Sequence, residues 1–194
     1  MRICVYCGSS DGAKSLYRDG AVAFGGLLAR ENIGLVYGGA SVGLMGAVAD
    51  GVLAQGGEAI GVITQALKDV EIAHPRLTEL RVVDSMHARK AVMSEHSDAF
   101  VALPGGIGTF EELFEAWNWS QLGIHAKPCG FLNIEGFYDR LAGFLDHVVE
   151  ERFLKRQHRE ILIIERDPKR MIDAIRTAKV EPSLKWFDWE PPKP

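Results

Sequence analysis

The feature that most constrains this chain is an alternation. Short apolar runs recur along it, and most are followed by a longer segment whose apolar residues sit at helical spacing. Residues 3–6, 33–37, 57–63, 81–83, 99–103, 129–132 and 161–164 read as strands. Residues 14–31, 43–55, 85–96, the stretch ending near Leu122, the stretch from Phe137 to Val149, and 168–178 read as helices. Leu141, Phe144, Leu145, Val148 and Val149 make the clearest amphipathic pattern. Residues 65–76 read as irregular. Strands of this length alternating with helices form βαβ units and a parallel sheet. Such a sheet is covered on both faces, which fits strands that are apolar throughout.

No inter-domain linker or repeat interrupts the pattern. The expectation is one domain over residues 1–180, followed by a Pro- and Trp-rich tail over 181–194. Trp186, Phe187 and Trp189 pin that tail to the body or to a second subunit, or it is only partly ordered.

Bulk properties remove several function classes. The net charge is −4, without the basic excess expected of a general nucleic-acid binder. The longest uncharged run, residues 33–49, carries five glycines and reads as strand, loop and helix, not as a membrane span. The opening MRICVYCGSS is too short an apolar stretch for a signal peptide. The three cysteines, Cys4, Cys7 and Cys129, do not form a disulfide framework, so a reducing cytoplasm is expected. Cys4-x-x-Cys7 has redox spacing, but Cys4 falls inside the first strand, and core packing is the better reading. The six histidines show no recognised metal spacing.

Glycine is the compositional departure, with 21 in 194 residues against a usual share of about 7%. Eight of them lie in three loops that leave strand ends and enter helices. These are CGSS (residues 7–10), GGASVGLMG (38–46) and PGGIGT (104–109). Glycine lets the backbone approach a ligand, and a helix start offers unpaired N–H groups to an anion. In an open parallel sheet, ligands bind beyond the carboxyl ends of the strands. One such loop is an ordinary turn; three point to a phosphate or nucleotide. The first turn lacks G-x-G-x-x-G, and no Walker loop occurs. The expected fold is therefore an α/β, Rossmann-like parallel sheet with helices on both faces, without dinucleotide or P-loop signatures.

Charged residues cluster beside these loops. Ser85 is a plausible N-cap for a helix that carries Arg89 and Lys90 near its positive end. Two cations there either hold an anion or are solvated surface groups. Met86, Arg89 and Met93 share one face. Thr109-Phe110-Glu111-Glu112 fits a capping box, in which Glu112 would tie down the helix start. The alternative is a carboxylate with a charge task beside a bound phosphate sugar. Leu113, Phe114 and Trp117 form an apolar stripe, read as core or, failing that, as a dimer interface.

The run MHARKAVMSEHSDAFVALPGGIGTFEE, continued by WSQLGIHAKP, is similar to the LONELY GUY family of cytokinin-activating phosphoribohydrolases. The early CGSS and GGASVGLMG loops match the same family, and the likeness runs from about residue 2 to about residue 165. The pairing of M-H-x-R-K with P-G-G-x-G-T-x-x-E carries it. The resemblance implies a Rossmann-like homodimer that hydrolyses the N-glycosidic bond of a nucleoside 5′-monophosphate, releasing base and ribose 5-phosphate with no metal or cofactor. It aligns Arg89 and Glu112 with the catalytic pair. It aligns Met86, Lys90 and the loop Gly105, Gly106, Ile107, Gly108 and Thr109 with nucleotide-binding segments. Glu71 falls at a substrate-contacting glutamate, and Asn118 stands where many members carry threonine. Ser9, Gly38 and Gly39 would shape the pocket. Two other readings stay open: a non-catalytic nucleotide or cofactor carrier, and a nucleosidase that prefers AMP. Members are often labelled lysine decarboxylases, yet no lysine here sits in a recognisable pyridoxal phosphate motif.

Overall fold

The computed structural model describes residues 1–70 and 73–180. The expected tail with Trp186, Phe187 and Trp189, and the predicted contact residue Glu71, lie outside the described residues. The chain runs β1 (Arg2–Tyr6), α1 (Ser15–Arg30), β2 (Gly34–Tyr37), α2 (Gly43–Ala54), β3 (Ala59–Thr64), α3 (Gln65–Val70), β4 (Glu79–Val83), α4 (Met86–Glu95), β5 (Ala99–Ala102) and α5 (Ile107–Gln121). It continues with β6 (Cys129–Leu132), a 3-10 turn (Ile134–Gly136), α6 (Asp139–Glu150), α7 (Arg156–Glu160), β7 (Leu162–Glu165) and α8 (Pro168–Thr177).

The seven strands form one sheet in the order β4-β3-β2-β1-β5-β6-β7. Every pairing is parallel. The chain winds outward from β1 to β4, then crosses back to lay β5 on the other side of β1. The strand order therefore reverses at the β1–β5 boundary, the place where open α/β sheets bind ligands.

Alternation along β1 divides the core. Ile3 and Val5 join residues of α1, α2 and α8 on one face. Cys4 and Tyr6 join residues of α4, α5 and α6 on the other. The sheet is thus buried on both sides, as its apolar strands require. All three cysteines are free and buried. Cys4 lies inside β1, where core packing places it.

Three local features differ from the sequence reading. Residues 65–70 are helical, because Thr64 Oγ1 accepts the Leu67 N–H at 3.2 Å and starts a turn at the strand end. Arg156–Glu160 forms a short helix whose five residues give no periodicity to read. The amphipathic helix begins at Asp139, so Phe137 precedes it and packs edge-on against Tyr17. Leu145 is the buried residue of that helix, and Phe144 stays 60% exposed.

Some of the glycine excess is spent between α1 and α2. A Cβ on Gly25 would run into the carbonyl of Val48, and one on Gly51 into the carbonyl of Val22. These helices touch backbone to backbone. Gly143, on α6, has nothing within 4 Å of its Cβ position. Gly25→Ala is therefore expected to destabilise by about 1–3 kcal/mol through overpacking, a fall of roughly 2–12 °C in Tm. Gly143→Ala is expected to stabilise by about 0.4–1 kcal/mol. Calorimetry of both variants checks this; equal shifts of the same sign would contradict it.

Candidate active site

Three loops converge at the carboxyl ends of β1, β2 and β5. The Gly8 N–H donates to the Pro104 carbonyl and the Leu44 N–H donates to the Gly8 carbonyl, both at 3.0 Å, so the loops are tied to one another through backbone. Between them lies a cleft of about 280 Å³. A larger depression of about 780 Å³ occupies the opposite, amino end of the sheet, where Arg2 is paired with Glu58 at 2.7 Å. The topology favours the smaller cleft as the site, because it lies at the carboxyl ends beside the strand-order reversal.

One wall of the cleft is the start of α5. Gly106 is its N-cap, with no side chain capping it, and the first intrahelical bond runs from the Phe110 N–H to the Gly106 carbonyl at 3.1 Å. The N–H groups of Ile107, Gly108 and Thr109 precede that bond and have no carbonyl a turn behind them in the helix. Cβ atoms on Gly106 or Gly108 would meet nothing within 4 Å, so this helix end is open to a ligand. Gly105 differs: its Cβ position is filled by Thr109 Oγ1, which seats the buried Thr109 in the first turn. The arrangement is a receptor for an anion, strengthened by the helix dipole.

Thr109 is the third residue of α5, and the first turn holds no acidic residue. The capping-box reading is therefore overturned, since the helix starts three residues earlier than that motif requires. Glu112 instead sits in the second turn and faces Arg89, with Oε1 at 3.5 Å from Nη1. Both side chains are nearly enclosed, 8% and 12% exposed.

Arg89 is not a solvated surface cation. Ser85 Oγ accepts the Ala88 N–H at 3.1 Å and starts α4, as expected, which turns Arg89 inward. Its Nε donates to the Val62 carbonyl at 2.9 Å, Nη1 lies 3.8 Å from Met86 Sδ, and Nη2 abuts Gly38. Any side chain on Gly38 would displace the guanidinium or Met45. Val62 lies in β3, Gly38 follows β2, and Glu112 belongs to α5, so one cation ties these three parts of the chain together. Removing one partner of such a buried pair costs about 3–5 kcal/mol, because the other charge is left buried and unpaired.

The cleft brings together Ser9, Gly38, Met86, Arg89, Gly106, Ile107, Gly108, Thr109 and Glu112 from the sequence-read set. Gly39 stands behind the wall with φ +83°, its carbonyl accepting the His74 N–H at 2.9 Å. Gly105 lines an adjoining depression of about 450 Å³ with Tyr17 and Phe137. Asn118 is exposed farther along α5 and does not line the cleft. Lys90 is buried beside the cleft, its Nζ at 2.5 Å from Glu111 Oε1 and 3.0 Å from Glu115 Oε2. Burial pulls its pKa down, but the hydrogen bonds to the two glutamates outweigh this and hold it above the ordinary lysine value.

The floor is formed by Val5, Tyr6, Cys7 and Met45; sequence reasoning placed Cys7 and Met45 in the glycine loops but missed Val5 and Tyr6. The signal for these two was weak but present: they are the last residues before the first glycine loop. Burial keeps the Tyr6 phenol protonated well above its ordinary value, and Cys4 and Glu112 add to the effect. Burial also pushes the Cys4 thiol to about 12 and raises Cys7 and Cys129. Thiolate is the reactive form, so no thiol is expected to react with a disulfide reagent at pH 8 until the protein is unfolded, when all three should titrate. Rapid modification of Cys7 in the native protein would contradict this.

Among the described residues, no group of three or more His, Cys, Asp or Glu is placed to hold a metal ion. Among them, too, no helix is long and apolar enough to cross a membrane.

The fold and site define a Rossmann-like α/β protein with an anion-receptive cleft at its topological switch point. A family model described as "Possible lysine decarboxylase" matches residues 45–175. A cytokinin riboside 5′-monophosphate phosphoribohydrolase of Arabidopsis thaliana is 51% identical over 174 residues, covering 90% of this chain and 81% of the relative. Another, from Oryza sativa subsp. japonica, is 45% identical over 192 residues, covering 98% and 79%. The chain belongs to this LONELY GUY family of phosphoribohydrolases. A solved molybdenum cofactor binding protein from Rippkaea orientalis superposes with a TM-score of 0.69, covering 91% of this chain and 95% of its own, at 23% identity. At that identity the likeness shows the fold alone.

Proposed function

We propose that this chain hydrolyses the N-glycosidic bond of a purine nucleoside 5′-monophosphate, a cytokinin riboside 5′-monophosphate or AMP, to free base and ribose 5-phosphate. The observation that carries the reading is the enclosed Arg89–Glu112 pair beside the open start of α5. A phosphate held at this helix end would be repelled by a buried carboxylate beside it, so the pairing suits a ligand that carries both a phosphate and a centre that becomes positive.

The chemistry supplies both. The N–H groups of Ile107, Gly108 and Thr109 take the 5′-phosphate, with Ser9 at the rim. Cleavage leaves the ribose C1′ electron-poor, as in glycoside hydrolysis. The Glu112 carboxylate stabilises that charge and orients the attacking water. The water oxygen bonds to C1′ as the C1′–N bond breaks; the electron pair leaves with the base, which takes up the proton that the water gives up. Arg89, fixed by Val62 and Gly38, directs its remaining guanidinium donors at the phosphate or the departing base. Met86 and Ile107, 43% and 82% exposed, are apolar lips for the base. No metal or cofactor enters this scheme.

Purified protein incubated with AMP and with isopentenyladenosine monophosphate should release base and ribose 5-phosphate. Glu112→Gln should keep the fold and lose about 10²–10⁴-fold in kcat. No release from either nucleotide would overturn the reading and favour a non-catalytic nucleotide carrier. We also infer a cytoplasmic homodimer that binds no nucleic acid. Ile124, Phe144 and Phe153 are exposed apolar side chains that a dimer interface would cover. Sedimentation should give twice the chain mass; a monomer at micromolar concentration would contradict the dimer.

A further inference from the structure

Arg89 and Lys90 are consecutive on α4, and the helix turns about 100° between them. Arg89 therefore faces the cleft while Lys90 faces the flank of α5. There, Glu111 and Glu115 lie one turn apart on a common face. The Lys90 ammonium reaches both, at 2.5 and 3.0 Å, from a side chain only 10% exposed. Glu112, the residue after Glu111, turns the other way and meets Arg89. Helices α4 and α5 are thus joined by two cation–carboxylate links, one in the cleft and one behind it.

We propose that Lys90 is a positioning residue, whose bonds to Glu111 and Glu115 set α5 against α4 so that Glu112 meets Arg89, and that it is not a ligand for the nucleotide. An ammonium has three donors and no acceptor, and here two carboxylates already engage it. Glu111 lines the cleft, so the ammonium also answers a negative charge that would otherwise stand beside the anion-binding helix start. Without Lys90, three glutamates within five residues of α5 would repel one another, and the spacing of Glu112 from Arg89 would no longer be fixed. The proposal rests on the Arg89–Glu112 pair being the working pair.

Glu115 does not line the cleft, which makes Glu115→Gln the cleanest test in the full-length chain. With AMP and isopentenyladenosine monophosphate as substrates, Glu115→Gln should lower kcat about fivefold or more with little change in KM, the pattern of a lost transition-state interaction. Lys90→Gln should lose more, and Lys90→Arg should recover most of the rate. Melting temperatures of Lys90→Gln, Glu115→Gln and the double variant should be non-additive, as for residues in contact. Wild-type kcat in Glu115→Gln, together with a raised KM and intact kcat in Lys90→Gln, would overturn the proposal and make Lys90 a nucleotide ligand. Should the wild-type protein release no base, the failure lies with the proposed reaction. The melting cycle then decides the clamp alone, non-additivity upholding it and additivity overturning it.

Discussion

The reversal of strand order beside β1 is the constraint on which the rest of the site depends. It separates the loops after β1 and β5, which continue to opposite faces of the sheet, and leaves a gap above the two strand ends. The backbone bonds from Gly8 to Pro104 and from Leu44 to Gly8 then set the width of that gap without using any side chain. Glycine at these points lets the loops come this close. The Cβ of a larger residue at Gly8 would press on the Gly105 backbone at 3.3 Å.

Electrostatics fills the frame in a specific order. The start of α5 is positive and open, and the nearest buried cation, Arg89, is answered by Glu112. A bare carboxylate beside a phosphate site would weaken binding, whereas a carboxylate neutralised by an arginine does so less. The 3.5 Å separation leaves both groups with hydrogen-bonding capacity toward the cleft. Beside them, Lys90 pairs with Glu111 and Glu115 and offsets the charge of those α5 carboxylates. Charge at the site is therefore graded from an open positive helix end to a paired interior.

Much of the fold was legible because a parallel sheet writes itself as apolar runs. All seven strands were found, and each helix of ten or more residues, since two or three turns are enough to show period. The short helices α3 and α7 were not, because five or six residues cannot display a 3.6 repeat, and the start of α3 rests on a single bond to the Thr64 hydroxyl. At the site, Arg89 and Glu112 could be named but their burial could not. A capping box and an N-terminal cation pair are equally good local readings, and only the packing of β3 and α5 against α4 decides between them. The cleft floor stayed hidden for a related reason. Val5 and Tyr6 read as ordinary strand residues, and nothing local says that β1 stops at the switch point.

The glycine excess shows how composition and function come apart. All the glycines in the three loops looked alike as candidates for close ligand approach. In the fold they separate by what stands where a side chain would be. Gly38 makes room for Arg89 and Met45, Gly105 for Thr109, and Gly43 for the backbone of Ser9 and Ser10. Among the loop glycines so placed, Gly106 and Gly108 face open space. These two flank the N–H groups offered to the anion, while the others act one step back, by letting protein pack on protein. A substitution at Gly38 would therefore damage the site through Arg89 and not through the ligand. Substitutions at Gly106 or Gly108 would meet no protein atom and would act on the ligand directly. The physical requirement behind the excess is thus mainly the close packing of loops and helices, and among the loop glycines only Gly106 and Gly108 are left open toward the proposed phosphate.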